Sequence, residues 1–382
     1  MSALVEGNTA FALDLYRFLT NEKQDENRFF SPYSISLCFA MAYGGARNNT
    51  KTQMEEVFHY TLGQDYLHSA FNGLALDLAS REQDFDGDGQ EDFKLNVANS
   101  MWGQKDYEFL TEYLDLLAEN YGAGIRLVDL QNEPDSSCKV INDWVSENTE
   151  GLIDSIIEPS DLNVYSLFVL VNAIYFKAKW MDEFSEEGTH DDVFYTPQGE
   201  VTVPMMNQWC YVNYSEGENY QAAELLYLGG DFGMLILLPS EGSFEECESS
   251  LTTEQIDQII ADFESQEVVL KLPKFDCRPD EINLKDVLSQ MGMTDAFIWP
   301  GADFSGMDGT LLIYLEWARH KAFVSVDEHG TEAAAATAIG GGAGGYPETP
   351  EIEFIVNRPF IFLIRDRVTG TILFMGRILD PS

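Results

Sequence analysis

The sequence predicts an α+β protein, with helices gathered early in the chain and strands late. Two observations carry this. Apolar residues recur at helical spacing through roughly the first 150 positions, whereas dense apolar runs bounded by turn residues dominate after Phe168. The two patterns also do not alternate as repeated βαβ units would.

The elements follow in order. Phe11, Leu15, Phe18 and Leu19 stand at i, i+4, i+7 and i+8, with Asp14 and Arg17 between them, and predict an amphipathic helix over 1–18. Ser31-Pro32 reads as an N-cap followed by proline at the first helical position, opening a buried helix through 35–43. Thr50 and Gln53 have capping-box spacing, with Met54 and Val57 inward. Helical spacing returns at 109–121 and 141–147. The runs 168–176, 233–238, 268–272, 352–364 and 371–378 read as strands, the last two joined by a turn over 366–370.

Composition narrows the function classes. The chain has 382 residues, 45% of them hydrophobic, which is ample for a large core, and no Pro/Ser-rich boundary divides it. Lys and Arg total 22 against 65 Asp and Glu, a net charge of −43. Such a surface repels nucleic acid and anionic membranes. It reads as adaptation to the salty cytoplasm of a halophile, where salt screens the self-repulsion. Selection for a basic partner is the alternative, and the spread of acids along the whole chain weighs against it. Five scattered cysteines, Cys38, Cys138, Cys210, Cys247 and Cys277, argue against a disulfide framework and for a reducing compartment. With no secretory signal pattern at the start, the expected location is the cytoplasm, secretion being left open.

Catalytic motifs are missing: there is no G-x-S-x-G elbow, no H-E-x-x-H and no Walker loop. The five histidines lack metal-ligand spacing. Asp84, Asp86 and Asp88 resemble the start of a calcium loop, but Leu95 stands where the bidentate glutamate belongs, and an acidic turn is the better reading. Gly340, Gly342 and Gly345 satisfy G-x-G-x-x-G, yet proline and not a helix follows. No enzyme activity, cofactor or metal is expected.

The most informative stretch is 328–350, EHGTEAAAATAIGGGAGGYPETP. Small side chains lead into glycine and proline, and an apolar run follows. Such a composition commonly makes a linker. It also suits a segment that a protease can grip and that a sheet can accept.

Other motifs decide between these. Asn27 to Ile35 (NRFFSPYSI), Ile141 to Val145 with Asn148 to Gly151, Leu170 to Trp180 (LVNAIYFKAKW), Val203 to Met206, Leu272 to Phe275, Ala302 to Met307, His320 to Ala322 with Glu328 to Ala333, and Asn357 to Phe360 together resemble the serpin family along nearly the whole chain. The resemblance implies one domain over 1–382, with three β-sheets, a shell of eight or nine helices and an exposed reactive loop at about 328–353. It implies a monomer that inhibits serine proteases as a suicide substrate. The protease forms an acyl-enzyme on the loop, and the cut loop enters the main sheet as a new strand before deacylation. Strand addition of this kind is a general mode. The alternative is a non-inhibitory serpin acting as a binding or chaperone-like protein.

The resemblance also assigns roles by position. Glu328, Gly330, Thr331, Ala333, Ala335 and Thr337 form the hinge, with Thr331, Ala333, Ala335 and Thr337 facing the core after insertion. Lys274, Trp180 and Glu328 stand where the loop enters the sheet. Ser31, Ser34, Asn172 and His320 form a polar cluster under its centre. Counting from the hinge puts the scissile bond at Gly344-Gly345; counting back from Pro359 puts it at Glu348-Thr349. The loop is about four residues longer than in familiar inhibitors. It has no Lys or Arg between Thr331 and Phe354, which favours elastase-like or subtilisin-like proteases over trypsin-like ones.

Overall fold

The computed structural model describes residues 1–81, 92–122, 124–331 and 352–382. Its centre is the strand Phe168–Lys179, whose apolar run is buried almost throughout. One edge pairs antiparallel with Phe93–Gln104, from Phe93↔Ala178 to Gly103↔Phe168, and that strand pairs with Ile125–Val128. The other edge is shared by two partners. Arg319–Lys321 runs parallel at His320↔Asn172 and Lys321↔Ala173. Higher up, Gly330–Thr331 runs antiparallel at Gly330↔Lys179 and Thr331↔Ala178. Beyond these lie Val324–Val326, Phe275–Cys277 and Ile282–Asn283, making an eight-stranded network.

The remaining strands form one nine-stranded network. Where three sheets are expected, hydrogen bonding thus joins strands into two networks, because Gly199–Glu216 serves two sets of partners. It pairs with His190–Thr196 over Gly199 to Met205, with Glu264–Pro273 over Met205 to Tyr214, and with Tyr220–Leu226 only over Asn213 to Glu216. Ten α-helices lie among the described residues, the last a single turn at Ser305–Asp308. No described helix is long and apolar enough to cross a membrane.

The helix Pro32–Tyr43 is buried at every position. It packs against Phe168–Lys179, Phe93–Gln104 and Ile372–Ile378, joining the two networks. Its start is as the sequence predicts: Ser31 Oγ accepts from Ser34 N–H at 3.1 Å, and Pro32 occupies the first turn. The first helix, Ser2–Glu22, buries Phe11, Leu15 and Leu19 but leaves Phe18 exposed. Position i+7 falls at the margin of a stripe centred on the other three.

The capping box is not formed. The third helix, Asn48–Val57, begins before Thr50, and both polar groups turn to another segment. Thr50 Oγ1 accepts from Asp303 N–H and Gln53 Oε1 from Asp295 N–H, both at 2.9 Å. The apolar run 352–364 divides into Ile352–Ile355 and Phe360–Asp366, which join the same network at different places. Pro359, which has no N–H for a ladder, lies in the break.

Candidate functional site

The site begins at the turn preceding Gly330. Asp327 N–H donates to the Gly330 carbonyl at 3.0 Å, and Asp327 Oδ1 accepts from His329 N–H and Gly330 N–H at 2.9 and 3.2 Å. Burial raises the Asp327 carboxyl above its ordinary value, against the pull of those two backbone donors. The turn sends the chain back beside the strand it has just left. A Cβ on Gly330 would stand 2.1 Å from the Ala178 carbonyl oxygen, so only glycine permits this approach.

Trp180 closes over the turn. Its N–H donates to the His329 carbonyl at 2.8 Å and its Nε1–H to the Asp327 carbonyl at 3.0 Å. Its ring stacks on Tyr227 with centroids 4.6 Å apart and planes 6° from parallel. Thr331 is 1% exposed, and its Oγ1 lies 2.7 Å from the Tyr227 hydroxyl. It also pairs with Val326 on the side away from Ala178. The first residues after the turn thus already lie between two strands of the main sheet.

Glu328 anchors the turn from below. Lys274 Nζ donates to its Oε2 at 2.6 Å and Thr189 Oγ1 to its Oε1 at 2.7 Å. Burial pushes the Glu328 carboxyl up, but these hydrogen bonds outweigh it and hold the group below the usual carboxylate range. His329 lies between two more carboxylates, with Nδ1 2.9 Å from Glu183 Oε2 and Nε2 3.4 Å from Glu186 Oε1. The Glu183 hydrogen bond raises its basicity above the ordinary value, against partial burial, with the Glu183 and Asp327 charges adding to it.

A second cluster lies lower in the sheet, where His320 pairs with Asn172. His320 is 1% exposed, and burial lowers its basicity to about 3, so the ring is neutral. Ser31 N–H donates to Nε2 at 3.1 Å, which leaves Nδ1 as the protonated nitrogen, and it donates to Asn172 Oδ1. Asn172 Nδ2 donates to Ser34 Oγ at 2.8 Å and to Asn99 Oδ1 at 2.7 Å. Ser31 Oγ donates to the Leu373 carbonyl at 2.6 Å. Every member is satisfied by another, which makes the cluster rigid while intact and costly to open.

The structure therefore brings Lys274, Trp180, Glu328, Gly330 and Thr331 together at the top of the sheet, and Ser31, Ser34, Asn172 and His320 together beneath its centre. Ala333, Ala335, Thr337, Gly344, Gly345, Glu348 and Thr349 lie outside the described residues, as do Asp84, Asp86 and Asp88. Sequence reasoning missed Asn99, Thr189 and Tyr227. None of the three carries a local signal: Asn99 stands in a stretch, FKLNVANSMWGQ, that mixes polar and apolar residues, and all three are recruited only by the fold.

A family model described as serpin (serine protease inhibitor) matches residues 6–381, and the chain belongs to the serpin family. An uncharacterized serpin-like protein of Thermococcus kodakarensis is 40% identical over 381 residues, covering 99% of this chain and 86% of that protein. The leukocyte elastase inhibitor of Homo sapiens is 36% identical over 392 residues, with 100% of both covered. Among solved structures, uncleaved ovalbumin superposes with a TM-score of 0.87 at 27% identity, covering 99% of this chain and 100% of that one. A thyroxine-binding globulin in complex with thyroxine superposes with a TM-score of 0.85 at 28% identity, covering 100% and 99%.

Proposed function

We propose that this chain inhibits serine proteases as a suicide substrate, taking its cleaved loop into the main sheet. The observation that carries the reading is the register of Gly330–Thr331. Thr331 faces Ala178 on one side and Val326 on the other. Six residues on from Thr331 is Thr337; six back from Ala178 is Asn172, and six back from Val326 is His320. Both ladders, continued one for one, bring Thr337 to the Asn172–His320 pair. Insertion to that depth has to part this pair, so the polar cluster acts as the shutter and the Glu328–Lys274–Trp180 group as the entrance.

Side chains alternate along a strand. Thr331 is buried, so on insertion as a strand Ala333, Ala335 and Thr337 would share its inward face, and all three side chains are small. Each new ladder hydrogen bond contributes about 1 kcal/mol net. A dozen of them rival the whole stability of a typical domain, so the uncut chain is held kinetically.

The absence of Lys and Arg between Thr331 and Phe354 suits a protease of elastase-like or subtilisin-like preference, and a relative named leukocyte elastase inhibitor supports the same choice. The chain acts as a monomer without a cofactor. The cytoplasm is the compartment that its five free cysteines suit.

The test is incubation with pancreatic elastase and subtilisin, followed by a denaturing gel and mass spectrometry of the released C-terminal peptide. A covalent complex, with a peptide beginning at Gly345 or at Thr349, is expected. Clean cleavage with no complex contradicts inhibition and favours a binding or chaperone-like serpin.

A further inference from the structure

We propose that the outer face of the sheet beside the loop, centred on Trp209 and Tyr211, is a docking surface for the attacking protease, separate from the bait itself. The proposal rests on the inhibitory reading only in taking a protease as partner.

Trp209 and Tyr211 are 48% and 66% exposed, although strands normally turn such side chains inward. They lie two apart on Gly199–Glu216 and therefore on one face. Register carries that face to the loop. Trp209 pairs with Val269, and Val269 with Glu353, so the three form a row across adjacent strands. Two strand spacings, about 10 Å, separate Trp209 from Glu353, and Glu353 is the second described residue after the loop.

A protease is several times wider than that distance. The glycine tract ends eight residues before Glu353, at most about 30 Å of extended chain, so a protease gripping it is tethered within reach of this row. The row offers two aromatic rings and Val269, flanked by the exposed carboxylates of Glu353 and Glu267, with Glu267 directly opposite Tyr211. The complementary surface is apolar with basic side chains at its edge. Because the glycine-rich bait offers few side chains for recognition, contacts outside the cleft would supply selectivity.

The experiment measures the second-order rate constant for loop attack by pancreatic elastase and by subtilisin, read as complex plus cleaved chain. Trp209→Ala/Tyr211→Ala is expected to lower that constant about ten-fold for at least one protease, leaving the partition between complex and cleaved chain and the thermal midpoint unchanged. Glu267→Lys/Glu353→Lys, which keeps the aromatic pair, is expected to lower it at low salt and to lose that effect at high salt. Rates within two-fold of the parent for both variants and both proteases overturn the proposal. Should the chain be cut without trapping, the cleavage rate still reads docking, so failure of inhibition and failure of docking are told apart. A loop attacked by neither protease overturns both.

Discussion

Thr331 Oγ1 and the Tyr227 hydroxyl lie 2.7 Å apart in a buried site, so on the proposed mechanism the first inward-facing residue of the loop is already seated before any cut. The seat accepts a small side chain with one hydroxyl. Arginine there would bring a guanidinium into that space with only a phenol to meet it, at a cost of several kcal/mol. On the proposed mechanism, Thr331→Arg is expected to slow insertion enough that deacylation wins, turning inhibitor into substrate. Complex on a denaturing gel should fall at least ten-fold while loop cleavage continues, and Thr331→Ser should retain complex. An equal yield of complex from Thr331→Arg and the parent contradicts the register argument.

Much of this was legible in the chain. Ser31-Pro32 announced a buried helix through capping chemistry alone, and the run through Phe168 announced the central strand, because both signals are local. The pairing of His320 with Asn172 is 148 positions long and could be read only through a family resemblance. The Thr50–Gln53 spacing misled for the same reason: a capping box is a local option, and Asp303 and Asp295 offered tertiary partners instead. The split in the run 352–364 was marked by Pro359, whose missing N–H weighs more than the apolarity around it. Tyr227 could not be found at all, since it becomes a seat only once Thr331 folds against it.

His329 gives the turn before Gly330 a proton dependence. Its hydrogen bond to Glu183, with Glu186 and Asp327 also near, favours the imidazolium in the fold. A folded pKa above the unfolded value near 6.5 contributes stability that is full below that value. It is lost as pH rises through the folded pKa. The pair is partly open to solvent, so the effect is about 1 kcal/mol or less. The parent should exceed His329→Gln in stability at pH 6, with the gap closing towards pH 9. Urea unfolding across that range measures it, and a gap that widens with pH contradicts the assignment.

His320 works in the opposite sense. Burial lowers its folded pKa to about 3, whereas the unfolded ring titrates near 6.5. Its contribution is full above 6.5 and is lost as pH falls towards 3, because the unfolded chain takes up the proton first. At pH 5 the loss is about 2 kcal/mol. Acid should therefore loosen the centre of the sheet while leaving His329 protonated at its edge. His320→Gln has nothing to titrate here, and its stability should change less than the parent's between pH 7 and pH 5. Equal slopes for the two proteins contradict a neutral, buried His320.

The surface charge yields the last expectation. Of the 22 basic residues, several are committed inside: Arg377 to Glu248, Arg365 to Glu224 and Arg81 to Asp366. These pairs neutralise buried or partly buried carboxylates and leave the outside with a large excess of acid. Repulsion among exposed charges acts through water and is screened within about 10 Å at 0.1 M salt and about 3 Å at 1 M. Raising KCl from 0.05 to 1 M, concentrations of roughly that span, should therefore stabilise the fold. For a chain of this size a few kcal/mol appears as a rise on the order of 5 °C in Tm at fixed scan rate. The buried pairs are shielded from salt, so the gain comes from the surface alone, and replacing exposed glutamates with glutamine should reduce it. A Tm that stays constant across the salt range, or a gain that survives those replacements, contradicts adaptation to a salty medium.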